Sequence, residues 1–77
     1  MNYTDYLEKK YQNYDFRELV IVQVDAERMK RSKDDGLKML GESYQMAINQ
    51  ILNRKDLAFI RKFSELKRLL YEQKRIY

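Results

Sequence analysis

The most distinctive part of the hydrophobic pattern is a short run of β-branched residues near the middle of the first half of the chain. The run from Leu19 to Val24 stands directly before Asp25, a preferred helix N-cap. Runs of this length and composition are typical of strands, so the sequence predicts a strand over 18–24. The alternative is a buried helical turn, because periodicity does not separate the two for so short an apolar run.

A single strand leaves its backbone donors and acceptors unpaired, and no second strand pattern occurs in the chain. We therefore expect the partner strand to come from a second molecule.

Two helical patterns follow the strand. The first covers 25–40, although residues 32–36 would also suit a turn that interrupts it. Gly41 then suits a helix C-cap and Ser43 an N-cap, which predicts a second helix over 43–53. Its apolar residues have the spacing of one buried face: Tyr44, Ala47, Ile48, Ile51, Leu52.

The C-terminal segment predicts a helix over 56–76 with a heptad seam on one side. The seam consists of Phe59, Phe63, Leu66 and Leu70 and indicates an oligomerisation surface. Arginines recur every seven residues on the opposite side: Arg54, Arg61, Arg68, Arg75. Such a stripe is more typical of a solvated face, although phosphate contacts would use the same residues.

The N-terminal segment 1–16 is either a short helix or a flexible arm. As a helix it would place these residues on one side: Tyr3, Tyr6, Leu7, Tyr11, Tyr14. Tyrosines can stack on bases. Packing against the body of an oligomer is the simpler role, and we favour it.

Composition limits how this fold is stabilised. A chain of 77 residues buries little apolar surface, and without cysteine or histidine it lacks disulfides and the usual zinc sites. Self-association is the remaining supplement, and we expect no cofactor or metal. The absence of cysteine, of a secretory signal and of a long apolar run predicts a cytoplasmic protein without a membrane span.

The charge distribution suits an anionic partner, with nucleic acid first, and equally suits a charged, solvated helix. Residues 1–42 hold 8 Lys and Arg against 9 Asp and Glu, whereas residues 43–77 hold 8 against 3, within a net charge of +4. Enzymatic activity is not expected, because histidine and cysteine are absent and Asp34-Asp35 suits a solvated turn better than an acid pair.

The order of strand, Asp-capped helix, glycine turn and Ser-capped helix resembles the ribbon-helix-helix family of DNA-binding proteins, which includes the methionine and Arc repressors. The resemblance runs from Arg17 to Leu52 and is clearest at Val22-Gln23-Val24-Asp25 and from Gly41 onward. It implies a mainly α fold with one strand per chain, in which two chains pair their strands antiparallel over four helices. The core would span 17–53.

The resemblance also implies a site. The ribbon would lie in the major groove of double-stranded DNA, with these residues facing the bases: Arg17, Leu19, Ile21, Gln23. A phosphate would bind at the start of the second helix, at Glu42, Ser43 and Tyr44. The expected oligomerisation residues are Val20, Val22, Val24, Ile48, Ile51, Leu52, Phe59, Phe63, Leu66 and Leu70.

The expected function is sequence-specific DNA binding by a transcriptional repressor, as a dimer that assembles into a tetramer on repeated half-sites. By family analogy, an accessory role in plasmid conjugation or partition is an extension. One alternative is an antitoxin that binds its operator through the ribbon and a toxin through the C-terminal helix. Another is a helical protein-binding inhibitor that does not bind DNA, which predicts no strand.

Overall fold

The computed structural model describes residues 2–75, and this part of the chain forms four α-helices. They are α1 (Tyr3–Tyr11), α2 (Phe16–Lys30), α3 (Asp35–Leu52) and α4 (Leu57–Arg75). No strand occurs among the described residues. The predicted fold class, a mainly α chain with an intermolecular β-ribbon, is therefore wrong.

The segment predicted as a strand lies inside α2 because a strong cap starts the helix before it. The Asp15 carboxylate accepts the Glu18 N–H at 2.9 Å, and the Glu18 carboxylate accepts the Asp15 N–H at 3.3 Å. This is a capping box. Leu19, Val20 and Val24 then fall on the inner side of the helix and are buried. Burying each stabilises the fold by about 1.5–3 kcal/mol, which exceeds the propensity cost of a β-branched residue, below about 0.7 kcal/mol.

The turn after α2 falls between Lys30 and Asp35, which confirms the possible interruption of the helix 25–40 expected at residues 32–36. α2 ends inside the predicted helix 25–40, and α3 runs unbroken through positions 41–43, where a turn was expected. The Asp34 carboxylate caps α3 by accepting the N–H groups of Gly36 at 2.8 Å and Leu37 at 3.2 Å. The predicted helix 43–53 is therefore the C-terminal part of a longer helix.

Gly41 allows close packing in the middle of α3 and does not end a helix. A Cβ atom at this position would lie 2.7 Å from the Ala26 carbonyl oxygen and 2.8 Å from the Met29 Cβ. Both distances are shorter than a van der Waals contact. Only glycine therefore lets α2 and α3 approach each other this closely.

The helices lie in the order α1, α3, α2, α4, because α3 packs against α1 and α2, and α2 packs against α4. The Cα trace measures 36 × 32 × 14 Å, so the molecule is a flat slab. One cluster of side chains forms the core: Leu7, Tyr11, Leu19, Val20, Val24, Ala47, Ile48, Ile51, Phe63. Many apolar positions expected to meet a second molecule therefore line the core of a single chain.

The terminal helices are fixed by caps and an ion pair. The Asn2 side chain accepts the Asp5 N–H at 2.9 Å and caps α1, which lies within the segment 1–16. α4 overlaps the predicted helix 56–76, of which residue 76 lies outside the described residues. The Lys67 ammonium lies 3.2 Å from Glu27 and joins α4 to α2. No described helix combines the length and the apolar character needed to cross a membrane.

Candidate nucleic-acid interface

The residues predicted to read DNA bases do not share a surface. Arg17 and Ile21 are exposed on the outer side of α2, whereas Leu19 and Gln23 are 0% and 2% exposed and lie in the core. The Gln23 side-chain amide donates a hydrogen bond to Gln45 Oε1 of α3. A base-reading role for this set requires an extended ribbon whose residues alternate between two sides. The helix removes that basis.

The predicted phosphate site at Glu42, Ser43 and Tyr44 lies in the interior of α3. Only the first turn of a helix has free backbone N–H groups, and those at mid-helix bond to the preceding turn. The Ser43 hydroxyl donates to the Met39 carbonyl oxygen at 3.2 Å and does not cap a helix. This position therefore lacks the free N–H groups on which the predicted anion site depended.

The residues predicted to hold copies together pack within their own chain. Five of them are buried in the core: Val20, Val24, Ile48, Ile51, Phe63. The other five are partly buried and pack against that core: Val22, Leu52, Phe59, Leu66, Leu70. On α4 the heptad seam therefore packs onto the core of the same chain.

Phe16 in the first turn of α2 contacts Phe59 in the first turn of α4, and three cationic side chains lie over these two rings. Phe16 and Phe59 meet edge to face, with ring centroids 6.3 Å apart. The Arg17 guanidinium lies 5.6 Å and the Lys62 ammonium 5.8 Å from the centre of the Phe16 ring. The Lys55 ammonium lies 5.1 Å from the centre of the Phe59 ring. Each such contact contributes about 0.5–1 kcal/mol at an exposed site, so the rings position these cations.

The carboxylates next to this cluster are engaged as helix caps. Asp15 and Glu18 cap α2, and the Asp56 carboxylate accepts the Phe59 N–H at 2.9 Å at the start of α4. The backbone dipoles at a helix start favour a carboxylate there. Among the described residues, none of these three carboxylates forms an ion pair with the cations of the cluster.

Two adjoining clefts extend from Lys55 to α1. The smaller has a volume of 180 Å³ and includes Lys55, the larger has a volume of 330 Å³ and includes Lys9, and both include Gln12 and Arg54. The Lys55 ammonium donates to the Gln12 carbonyl oxygen at 3.1 Å. The Arg54 guanidinium pairs with the largely buried Glu8 carboxylate. The larger cleft is also lined by the carboxylates of Asp5 and Glu8, whereas Arg54 and Lys55 are the charged residues of the smaller cleft.

Two tyrosines of α1 have exposed rings. Tyr3 and Tyr6 are 47% and 51% exposed, and they stack with centroids 5.9 Å apart and planes at 20°. Tyr44 of α3 meets the Tyr3 ring edge to face at 6.5 Å, and a hydrogen bond to Tyr44 raises the pKa of Tyr3. Burial raises the pKa of Tyr44, and a hydrogen bond to Tyr11 raises it further. The Tyr3 ring is therefore supported by a side chain that is anchored to the core.

The tyrosines and the clefts meet on α1. Lys9 and Lys10 follow Tyr6 by three and four residues, the spacing at which helix side chains are neighbours, and all three are exposed. We group these aromatic rings and cations under the name cationic band, although the carboxylates of Asp5 and Glu8 also lie in the larger cleft. The cationic band consists of Tyr3, Tyr6, Lys9, Lys10, Arg54, Lys55, Phe59, Phe16, Arg17 and Lys62.

Sequence reasoning found little of this band. Arg17 was predicted to contact DNA through a ribbon, and Arg54 belonged to a stripe typical of solvated faces. Lys55 and Lys62 were not predicted at all. Cations beside aromatic residues, as at Phe16-Arg17, were the available signal, but the contact between the starts of α2 and α4 is not visible in a linear pattern.

Comparison of the chain with protein-family models, curated proteins and solved structures gives no match.

Proposed function

We propose that this protein binds nucleic acid by contacting phosphate groups with the cationic band. The observation that carries the proposal is the placement of Arg17, Lys55 and Lys62 over two joined aromatic rings. Lysine and arginine contacts to phosphates supply most of the sequence-independent affinity for nucleic acid. The proposal keeps the nucleic-acid partner expected from the charge of the chain and assigns it to a different surface.

The aromatic rings make these cations better phosphate ligands than free surface lysines. A mobile lysine side chain loses up to about 1.5–2 kcal/mol of conformational entropy when it becomes ordered. Lys55 is already held by the Phe59 ring and by the Gln12 carbonyl oxygen. Lys55 therefore loses less conformational entropy when it binds a phosphate, and this favours binding.

The direct test compares two double variants that remove equal charge. Lys55→Gln/Lys62→Gln changes the cationic band, whereas Lys33→Gln/Lys38→Gln changes two exposed lysines at the α2–α3 turn and the start of α3. Binding of single-stranded and duplex DNA of one sequence is measured at low salt by fluorescence anisotropy. We expect the first variant to bind about tenfold more weakly or worse, because charge-assisted contacts contribute about 1.5–3 kcal/mol.

The control variant separates an effect of the cationic band on affinity from an effect of total charge. The Lys33→Gln/Lys38→Gln variant is expected to bind nearly as well as the wild type. Equal weakening of both variants would show that total charge matters and the band does not. A wild-type protein that binds neither DNA would reject the function itself. Phosphate contacts alone do not select a sequence, so they do not account for the sequence-specific repression expected from the resemblance.

A helical protein-binding module is the second candidate. It is the alternative that predicted no strand, and Ile21 is 60% exposed beside a hollow of 230 Å³ that it shares with Val24 and Leu70. Sedimentation of the wild type and of Ile21→Glu tests the simplest partner, a second copy. A concentration-dependent increase in mass that Ile21→Glu abolishes would favour this candidate.

The antitoxin alternative receives no support from the packing of α4. It requires a C-terminal helix whose apolar seam is free to bind a toxin. Phe63, in the centre of that seam, is 5% exposed and belongs to the core of the chain.

A further inference from the structure

We infer that the Tyr3–Tyr6 pair is a stacking platform for unpaired bases, so that the cationic band takes single-stranded nucleic acid. This inference rests on the proposed function and specifies its ligand. The juxtaposition behind it is a pair of nearly parallel, half-exposed aromatic rings beside Lys9 and Lys10 on the same short helix.

Two residues of this helix belong to the core, whereas Tyr3 meets Tyr44 only in an edge-to-face contact and Tyr6 stacks on Tyr3. Leu7 and Tyr11 are buried in the core, as a packing role requires. Tyr3 and Tyr6 each leave about half of their surface in solvent. Their exposed ring faces are therefore available to a ligand.

The two rings are held in place in the free protein. Tyr6 stacks on Tyr3, and Tyr3 contacts Tyr44 of α3, which in turn contacts the buried Tyr11 with ring centroids 6.0 Å apart. The Asn2 cap holds the first turn of α1. A rigid aromatic surface loses little conformational entropy on binding, which favours its use in recognition.

The shape of the platform favours a single strand over a duplex. In a duplex each base face is covered by its neighbours, whereas an unpaired base can lay its face on an aromatic side chain. Lys9 and Lys10 follow Tyr6 at helical spacing and are exposed, whereas the cleft beyond Lys9 also contains the Asp5 and Glu8 carboxylates. A strand whose base stacks on Tyr6 can therefore place its nearest phosphates on Lys9 and Lys10. Such binding tolerates any base sequence, because every base has a π-face.

The test uses short oligo(dT), a duplex of the same length and a strand of the same length that lacks bases. We expect Tyr6→Ala to weaken oligo(dT) binding about tenfold and Tyr6→Phe to leave it within about twofold of the wild type, since the ring is kept. Duplex binding should not change in either variant. Met46→Ala is the matched control. It shortens an exposed apolar side chain of α3, outside the Tyr3–Tyr6 pair, and should bind like the wild type.

The baseless strand tests the inference without any substitution. The wild type should bind it about tenfold more weakly than oligo(dT), and Tyr6→Ala should lose no further affinity for it. The inference is overturned if the wild type binds both strands equally, or if folded Tyr6→Ala binds oligo(dT) like the wild type. In those cases, weakening by Lys55→Gln/Lys62→Gln would still support the proposed function. Absence of any wild-type binding would reject both.

Discussion

Gly41 and Ala26 set how closely α3 approaches α2, because a Cβ atom at Gly41 would lie 2.7 Å from the Ala26 carbonyl oxygen. The obstacle is backbone, so the two helices would have to move apart to admit a side chain. The α2–α3 pair is the centre of the slab. The distance between α2 and α3 at this contact therefore affects the packing of the whole fold.

Gly41→Ala is expected to destabilise the protein by about 1–3 kcal/mol, because overpacking outweighs the gain in helix propensity. Gly36→Ala is the matched control. Its added Cβ would lie 3.1 Å from the Asp34 oxygen that caps α3, a side-chain atom that needs to shift only slightly and can keep its hydrogen bonds, so we expect a change below about 1 kcal/mol. Urea unfolding followed by circular dichroism measures both. A neutral or stabilising Gly41→Ala would contradict the close α2–α3 contact.

Asp15→Ala and Asp25→Ala separate a helical α2 from the strand that the sequence predicted. Asp15 caps α2 and should cost about 1 kcal/mol when removed. Asp25 lies exposed in mid-helix, although it was expected to cap a helix after the strand, and its removal should cost less than about 0.5 kcal/mol. Unfolding midpoints in urea give both values. A larger loss of stability in Asp25→Ala than in Asp15→Ala would contradict the helix over 18–24.

Phe63→Ala tests whether the α4 seam belongs to the core of one chain. We expect a loss of about 3 kcal/mol or more, because a buried phenylalanine is removed, and the loss should not depend on protein concentration. Leu57→Ala, at an exposed position of the same helix, should be nearly neutral. If stability instead rises with concentration in the wild type and not in Phe63→Ala, the seam joins different molecules.

The raised pKa of Tyr44 predicts a loss of stability at alkaline pH. The folded protein favours the neutral phenol, so this contribution is fully present below the unfolded pKa of 10.0 and is lost as pH rises through the higher folded pKa. The free energy of unfolding should therefore fall more steeply above about pH 10 in the wild type than in Tyr44→Phe. Urea unfolding at a series of pH values measures this. Parallel curves would show that the Tyr44 environment does not differ between the two states.

The sequence predicted helices after residue 25 but not the helix over 18–24, and the reason is local. β-branched residues favour strands only weakly, by about 1 kcal/mol over the whole scale. The capping box of Asp15 and Glu18 starts a helix before this run and outweighs that preference. Gly41 was wrongly expected to end a helix, because glycine occurs both at helix C-caps and where two helices pack closely. The local sequence does not distinguish these two roles.

The candidate site could be predicted only in fragments. The tyrosines expected on one side of a helix are divided in the structure: Tyr14 lies beyond α1, Tyr11 is buried, and Tyr3 and Tyr6 are exposed. The Lys55–Phe59 contact joins residues four positions apart, but Lys62 lies over Phe16, and Phe16 contacts Phe59, only because α4 packs beside α2. Contacts between distant parts of the chain leave no trace in local periodicity, so the cationic band appears only in the folded structure.

The most direct measurement of the proposed function is the dependence of oligo(dT) affinity on salt. Each phosphate neutralised by a lysine or arginine releases counterions and contributes about −0.7 to the slope of log affinity against log salt for a single strand. The slope for Lys55→Gln/Lys62→Gln should be less steep than that of the wild type by about 1.4, and the slope for Lys33→Gln/Lys38→Gln should be unchanged. Identical slopes for all three proteins would contradict phosphate binding by the cationic band.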